Sequence, residues 1–160
     1  MPLAKDSENS ADPAAVGQVD AGTLAEIHQL YGAQSHFIDN GLARAWAGTF
    51  TADGQFRSPS YPAPVNGASE LVAFAERFFA AGRDAGETVR HVVTNTYVTR
   101  TGPECLTVQA YLQIVATPAG GPSRLVRQTT ISDELVADGG RWRIRCRTVH
   151  RDDQRPPHGR

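Results

Sequence analysis

Imidazole and carboxylate side chains are the groups of this sequence best suited to acid–base chemistry. His91 begins a β-rich segment, RHVVTNTYVTR, and Asp39 follows the apolar Ile38 near the end of a helical segment. An imidazole can both accept and return a proton near neutral pH. A carboxylate on its second ring nitrogen fixes the tautomer and stabilises the imidazolium that forms. Such a pair can promote elimination, enolisation or an aldol-type ring closure.

Other chemistry-bearing motifs are absent from the sequence. It has no His-x-His, HExxH or cysteine cluster for a metal, and no GxGxxG, GxxxxGK or GxSxG segment. We therefore predict no metal site and a reaction without a cofactor. Cys105 and Cys146 are expected as reduced, buried thiols, since a disulfide would require that their strands be neighbours.

Composition and charge restrict the partners. Sixteen Lys and Arg residues balance seventeen Asp and Glu residues, which gives a net charge of -1 and no basic excess for binding nucleic acid. No apolar run approaches the ~18 residues that span a bilayer, and the first residues lack a signal-peptide core. We expect a cytoplasmic protein that binds neither nucleic acid nor membrane.

The 160 residues predict one folded domain with polar ends. Residues 1–20 are polar and aperiodic, which predicts a disordered leader, and residues 152–160 predict a flexible tail. The domain between them, 21–151, begins with three predicted helices. Thr23 and Glu26 have the spacing of a capping box at the start of the first.

Helical spacing of apolar residues sets the other helix bounds. The first helix is expected to stop at Asn40-Gly41, a second helix spans 42–50 and a third spans 67–81. A turn is predicted over 51–54 and a short strand over 55–57.

The second half of the domain changes to a period of two, which indicates four long strands separated by turns: 90–100, 104–117, 124–137 and 141–151. Helices followed by antiparallel strands are typical of an α+β fold with helices packed on one face of a sheet. Asp138-Gly139-Gly140 predicts a hairpin in which Leu135 pairs with Trp142 and Glu134 lies opposite Arg143.

Several strand faces mix aromatic and polar side chains. Tyr111 and Gln113 share one such face, and Asn95 shares a face with His91. A mixed face is typical of a cavity wall, because these side chains have apolar bodies and polar tips. The alternative is a solvated face with some aromatic cover. The alternating arginines 143, 145 and 147 are predicted on the outer face of the sheet.

Four segments together resemble the SnoaL-like branch of the nuclear transport factor 2-like superfamily: LYGAQSHFIDNG, WAGTFTADGQF, RHVVTN and DELVADGGRWRIRCR. The resemblance covers about residues 22–152. It implies a cone-shaped, strongly bent antiparallel sheet packed on three N-terminal helices (an α+β barrel), with a pocket at the wide end. The superfamily includes scytalone dehydratase, polyketide cyclases, ketosteroid isomerase and dioxygenase β subunits, so the fold alone does not define a reaction.

The resemblance implies roles for Asp39 and His91. In the dehydratase and dehydrochlorinase branches, an aspartate at the end of the first helix orients a strand histidine that abstracts the proton. A turn aspartate and an ordinary strand histidine are the alternative interpretation. Two departures are clear: the strand after His91 carries no second histidine, and no lysine follows Lys5. These departures favour cyclisation, isomerisation or enolisation and disfavour dehalogenation.

Together the residues and the resemblance predict a cofactor-independent cyclase, isomerase or dehydratase that acts on an aromatic or polyketide-like molecule in natural-product biosynthesis, and a homo-oligomer. Alternatives are a non-catalytic dioxygenase-β-like assembly subunit or ligand-binding module, and an epoxide hydrolase or epoxide-opening cyclase. The last requires a second carboxylate in the pocket, for which Asp133 and Glu134 are the candidates. The candidate substrate-binding residues are Tyr31, Trp46, Tyr61, Asn95, Tyr111, Gln113 and Thr129.

Overall fold

The computed structural model describes residues 17–154. The predicted leader up to residue 16 and the predicted tail from residue 155 lie outside the described residues. The elements in chain order are α1 (Ala21–Asp39), α2 (Ala43–Ala47), β1 (Phe50–Arg57), β2 (Val65–Asn66), α3 (Gly67–Asp84), β3 (Glu87–Gly102), β4 (Cys105–Pro118), β5 (Arg124–Asp138), β6 (Arg141–Arg151) and a single 3₁₀ turn (Asp152–Gln154).

One six-stranded sheet holds the described strands in the order β2-β1-β6-β5-β4-β3. The three helices precede the long strands and pack on the apolar face of the sheet, which confirms the predicted α+β, cone-like fold. The sheet is mixed, because β1 pairs with β6 in parallel while its other pairs are antiparallel. The prediction of a purely antiparallel sheet is therefore wrong for the β1–β6 pair.

The first helix is fixed at both ends by side-chain bonds. Asp20 is the N-cap: its carboxylate accepts from the backbone N of Thr23 at 2.9 Å and from the Thr23 hydroxyl at 2.7 Å. The predicted capping box of Thr23 and Glu26 is therefore wrong by one turn. At the other end the Asn40 side chain donates to the carbonyl of His36 at 2.7 Å, so that Asp39 is the last helical residue.

The segment predicted as a turn, 51–54, lies inside β1, where the pairing with β6 shifts register. Glycine is required there because a Cβ on Gly54 would lie 2.7 Å from the Cβ of Phe50 and 2.9 Å from the carbonyl O of Thr51. The second helix is correspondingly shorter than predicted. The third helix continues past the predicted end at 81, because Gly82 lets the helix approach Val89 of β3.

Bulges decide which strand residues face the helices. The β3–β4 pairing shifts between Thr94 and Tyr97, at Asn95, whose φ is 54°. The β5–β6 pairing shifts beside Arg145, so that Ile144 before it and Arg147 two residues after it both face the core. Because side chains change sides of the sheet at a bulge, a face assigned by simple alternation is wrong for the residues beyond it.

The predicted register of the β5–β6 hairpin is wrong by two residues. Leu135 pairs with Ile144, Trp142 lies opposite Ala137, and Glu134 lies opposite Cys146. The reason is a tight two-residue turn at 139–140, where both glycines have positive φ. Glu134 still finds an opposite charge, because Arg145 binds its carboxylate at 2.9 Å on the outer face.

Cys105 and Cys146 are free thiols. They lie on β4 and β6, which are separated by β5. Among residues 17–154, none of the helices has the length and apolar character needed to cross a membrane.

Candidate active site

The end of α1 and the start of β3 meet through one carboxylate. Asp39 Oδ1 lies 2.7 Å from Nδ1 of His91, and the backbone N of His91 donates to Oδ1 and Oδ2 at 3.2 and 3.0 Å. The Asp39 and His91 side chains are only 6% and 13% exposed. Because an ionised carboxylate only accepts hydrogen bonds, this contact places the imidazole proton on Nδ1. Nε2 then has no hydrogen-bond partner among the described residues and is left for a ligand.

The position of His91 follows from strand pairing. It lies opposite Ile114 of β4, on the face that carries the apolar core. On the helix side its ring packs against Phe78 of α3, with 5.0 Å between centroids. The imidazole is thus held between a helix and the sheet, while Asp39 fixes its rotation.

His91 forms part of the wall of a central cavity of about 50 Å³ between the helices and the sheet. Tyr61, Phe74, Phe78, Ile114 and Arg127 belong both to this cavity and to a wider vestibule of about 380 Å³. The inner cavity admits only the edge of a ring or a small substituent, so a larger ligand would extend into the vestibule. No group of three or more His, Cys, Asp or Glu within 17–154 is arranged to hold a metal ion.

Three of the predicted substrate-binding residues line the central cavity: Trp46, Tyr61 and Thr129. Trp46 is almost fully buried, and its ring packs on Phe74 at 5.7 Å. Tyr61 meets Phe74 edge to face at 5.0 Å, at the boundary between cavity and vestibule. The Thr129 hydroxyl donates to the carbonyl of Leu112 at 2.8 Å, so its hydrogen is already used.

Tyr111, Gln113 and Asn95 do not reach the cavity. Tyr111 is 50% exposed on the outer face of β4, and Gln113 donates to Gln128 on that same face at 2.9 Å. Asn95 is exposed in the β3 bulge, which separates it from the face of His91. The prediction that the mixed face forms the cavity wall is wrong for β4, because the helices pack on the apolar face of that strand and the cavity lies between them and the sheet; on β3, His91 does line the cavity.

Tyr31 is a buried core residue and is not part of the cavity wall. Its hydroxyl donates to Asp133, which is fully buried and lies across from Arg147 on β6. Arg147 binds the same carboxylate through Nε and Nη2, with 2.9 Å from Nε to Oδ1 and 2.7 Å from Nη2 to Oδ2. Its guanidinium lies over the rings of Tyr31 and Phe50, 5.6 and 5.9 Å from their centroids.

Burial and charge act together on this network. Burial raises the pKa of Tyr31 well above its ordinary value, and the negative charge of Asp133 raises it further. Burial opposes the charge of Arg147, but the carboxylate and the bonds to it raise its pKa above the usual value. Arg147 is therefore a permanent cation, and it lines the cavity.

The sequence predicts Arg147 on the outer face and Asp133 only as a candidate second carboxylate, so the buried ion pair between them was missed. The bulge at Arg145 turns Arg147 inward, and no local pattern reveals a bulge. The turn at 139–140 alone would place Asp133 opposite Cys146, so Asp133 and Arg147 become cross-strand partners on the buried face only through the bulge.

Comparison with known sequences identifies one family. A profile of the SnoaL-like domain matches residues 21–148, which is most of the chain. No curated protein sequence resembles the chain closely enough to count as a relative.

Solved structures give a consistent result. Aln2 from a Streptomyces species is 27% identical with a TM-score of 0.76, over 84% of this chain and 94% of Aln2. ActVI-ORFA from Streptomyces coelicolor is 27% identical with a TM-score of 0.74, over 83% of this chain and 99% of its own. A Catenulispora acidiphila protein in complex with S-DNPA is 26% identical with a TM-score of 0.73, over 84% and 97% of the two chains.

The buried hydroxyl of Tyr31 leads to a pH-dependent prediction. Because its folded-state pKa is raised, its contribution to stability is complete below the unfolded value of about 10 and is lost as the pH rises above it. In urea unfolding, Tyr31→Phe should lower the free energy of unfolding by about 1–3 kcal/mol at pH 7. The difference between wild type and variant should shrink as the pH rises above 10. A difference that stays constant up to pH 11 would contradict this account, and Tyr97→Phe, at an exposed site, is the control.

Proposed function

The chain belongs to the SnoaL-like domain family, and we propose that it is a cofactor-independent acid–base catalyst that moves a proton on an aromatic or polyketide-like molecule in the central cavity. The reaction class is a cyclisation, isomerisation or dehydration. The proposal depends chiefly on the contact of 2.7 Å between Asp39 and His91 at the cavity wall.

In the proposed reaction, Nε2 of His91 removes a proton from a carbon next to a carbonyl group of the ligand. The Asp39 carboxylate keeps the other proton on Nδ1 and stabilises the imidazolium as it forms. The imidazolium then returns the proton at another carbon, or at an oxygen that leaves as water. Both partners are largely withdrawn from water, which strengthens their electrostatic interaction.

The negative charge that develops on the ligand oxygen needs a positive partner. Arg147 lines the cavity, and its bonds to Asp133 use Nε and Nη2, which leaves Nη1 free of that carboxylate. A fixed cation in a site with little water stabilises an enolate without reorganising solvent. This arrangement supports assigning Arg147 to the developing oxyanion.

Opening of an epoxide is less well supported. That chemistry would need a second carboxylate facing the ligand, and the buried acid near the cavity is Asp133. Both of its oxygens are bound by Arg147, one of them also by Tyr31, and its side chain has no exposed surface. Glu134, the other candidate, lies on the outer face and binds Arg145.

A second role, in assembly, is favoured by the outer face of the sheet. Tyr97, Tyr111 and Val92 are 66%, 50% and 38% exposed on neighbouring strands β3 and β4. An apolar group of this kind is typical of a subunit interface. We include self-association through this face in the proposal, with a heterologous subunit as the alternative partner.

Replacing the proposed base gives the most direct test of catalysis. Bicyclic aromatic ketones such as 2-tetralone exchange their α-protons in D₂O, and NMR measures the rate. Wild-type protein should accelerate this exchange, and His91→Ala should reduce the acceleration at least ~100-fold, as the loss of a general base does. Asp39→Asn should reduce it with little change in ligand affinity.

Tyr111→Phe is the matched control, because Tyr111 lies outside the cavity and should leave the exchange rate unchanged. Circular dichroism shows whether each variant is folded. Exchange that is as fast in folded His91→Ala as in wild type would exclude the proposed base and favour a binding or assembly role.

Charge placed on the outer face tests self-association. Tyr97→Arg should shift the wild-type oligomer toward monomer in sedimentation velocity at micromolar concentration, because a charge buried in an interface without a partner is costly. His28→Arg, on α1, should have no such effect. A wild-type protein that is monomeric at all concentrations would contradict this part of the proposal.

A further inference from the structure

The vestibule outside the central cavity has an excess of positive charge. Arg77 of α3 and Arg124 and Arg127 of β5 line it, and Glu87 is the single acid among its lining residues. Glu87 is already neutralised, because Arg124 binds its carboxylate at 2.6 Å. The side chains of Arg77 and Arg127 therefore give the vestibule an uncompensated charge.

Neither of these two arginines has an ion-pair or hydrogen-bond partner among residues 17–154. Arg127 interacts electrostatically with Asp153, whose carboxylate Arg151 binds at 2.9 Å. Arg77 and Arg127 differ in this from Arg124, Arg145, Arg147 and Arg151, each of which binds a carboxylate. A guanidinium without a counterion is costly where it is partly withdrawn from water.

Arg127 is the more constrained of the two. It is half-buried, pairs with Ile114 on the inner face of the sheet, and belongs to the walls of both the central cavity and the vestibule. Its guanidinium thus lies where a ligand would pass from one space to the other. Arg77 is exposed on the opposite, helical wall of the vestibule.

Around these arginines the surface is apolar. Phe74, Phe78, Val89 and Ala116 line the vestibule, and Val126 is 45% exposed at its edge. A ligand that fits this site has an aromatic body and one anionic group. The body packs on the apolar wall and enters the cavity, while the anion meets the two guanidinium groups.

We propose that Arg77 and Arg127 form an anion-binding subsite, so that the preferred substrate is an aromatic molecule with a carboxylate or similar anionic group remote from the reacting carbon. The inference rests on the proposed function only where it calls the bound molecule a substrate. The subsite binds ligands whether or not a reaction follows. Arg77 and Arg127 would thus bind a different part of the ligand from Arg147, which lines the inner cavity.

Two fluorescent probes with the same aromatic skeleton test this subsite. 8-Anilinonaphthalene-1-sulfonate carries an anionic group, and N-phenyl-1-naphthylamine lacks it. Titration at low ionic strength gives the Kd of each for wild type, Arg77→Gln and Arg127→Gln. Arg44→Gln is the control, because it removes the same charge from an exposed position on α2.

The anionic probe should bind about tenfold more weakly to Arg127→Gln, and severalfold more weakly to Arg77→Gln, as the loss of a charge-assisted hydrogen bond requires. The neutral probe should bind all four proteins equally within about twofold. Addition of 0.5 M NaCl should reduce the affinity of wild type for the anionic probe toward that of the variants.

Three results would overturn the subsite: unchanged affinity of the anionic probe in both variants, equal weakening of both probes, or the same weakening in Arg44→Gln. Because the titration measures binding alone, it decides the matter even for a protein that shows no proton transfer. A failed exchange assay with intact probe discrimination would count against the catalytic proposal and leave the anion subsite in place.

Discussion

The site depends on the hydrogen bonds that the Asp39 carboxylate makes with His91. This carboxylate binds both the backbone and the ring of His91, so the same side chain fixes where β3 meets α1 and how the imidazole is turned. Its own position follows from the length of α1, which is capped by Asp20 at its start and by Asn40 at its end. A shift of one residue at either end would rotate Asp39 away by about 100°. The capping of α1 and the geometry of the Asp39–His91 pair are thus coupled.

A second buried interaction completes the cavity. Asp133 links the hydroxyl of Tyr31 on α1 to Arg147 on β6, and this network holds a cation at the cavity wall. Removing one partner of such a pair leaves a buried charge without compensation, which is strongly destabilising. Positive charge lines both spaces: Arg147 lies at the inner cavity, and Arg77 and Arg127 lie at the vestibule. The molecule combines one imidazole, largely withdrawn from water, with arginines suited to oxygen atoms that carry negative charge.

Periodicity predicted the helices, the four long strands and the α+β class, because burial of one face imposes a regular spacing. The resemblance supplied the pairing of Asp39 with His91, which lies 52 positions along the chain. Most errors arose where the spacing breaks: Asn95 and Arg145 lie in bulges, and Gly54 lies inside a strand. Tyr111 lies in a regular stretch of β4, and the error there was the choice of the face that the helices cover. A bulge depends on contacts between strands, so no single strand reveals it. For that reason the ion pair between Arg147 and Asp133 could be found only in the folded structure.

The central claim is that Asp39 holds the His91 ring with its proton on Nδ1, and observing the position of that proton tests it directly. In protein labelled with ¹⁵N-histidine, long-range ¹H–¹⁵N correlation spectra distinguish the two neutral tautomers, and a His91→Gln spectrum assigns the signal. The account predicts that wild-type His91 carries its proton on Nδ1, and that Asp39→Ala allows the Nε2-protonated form to appear. A wild-type ring protonated on Nε2, or a tautomer indifferent to loss of Asp39, would contradict it.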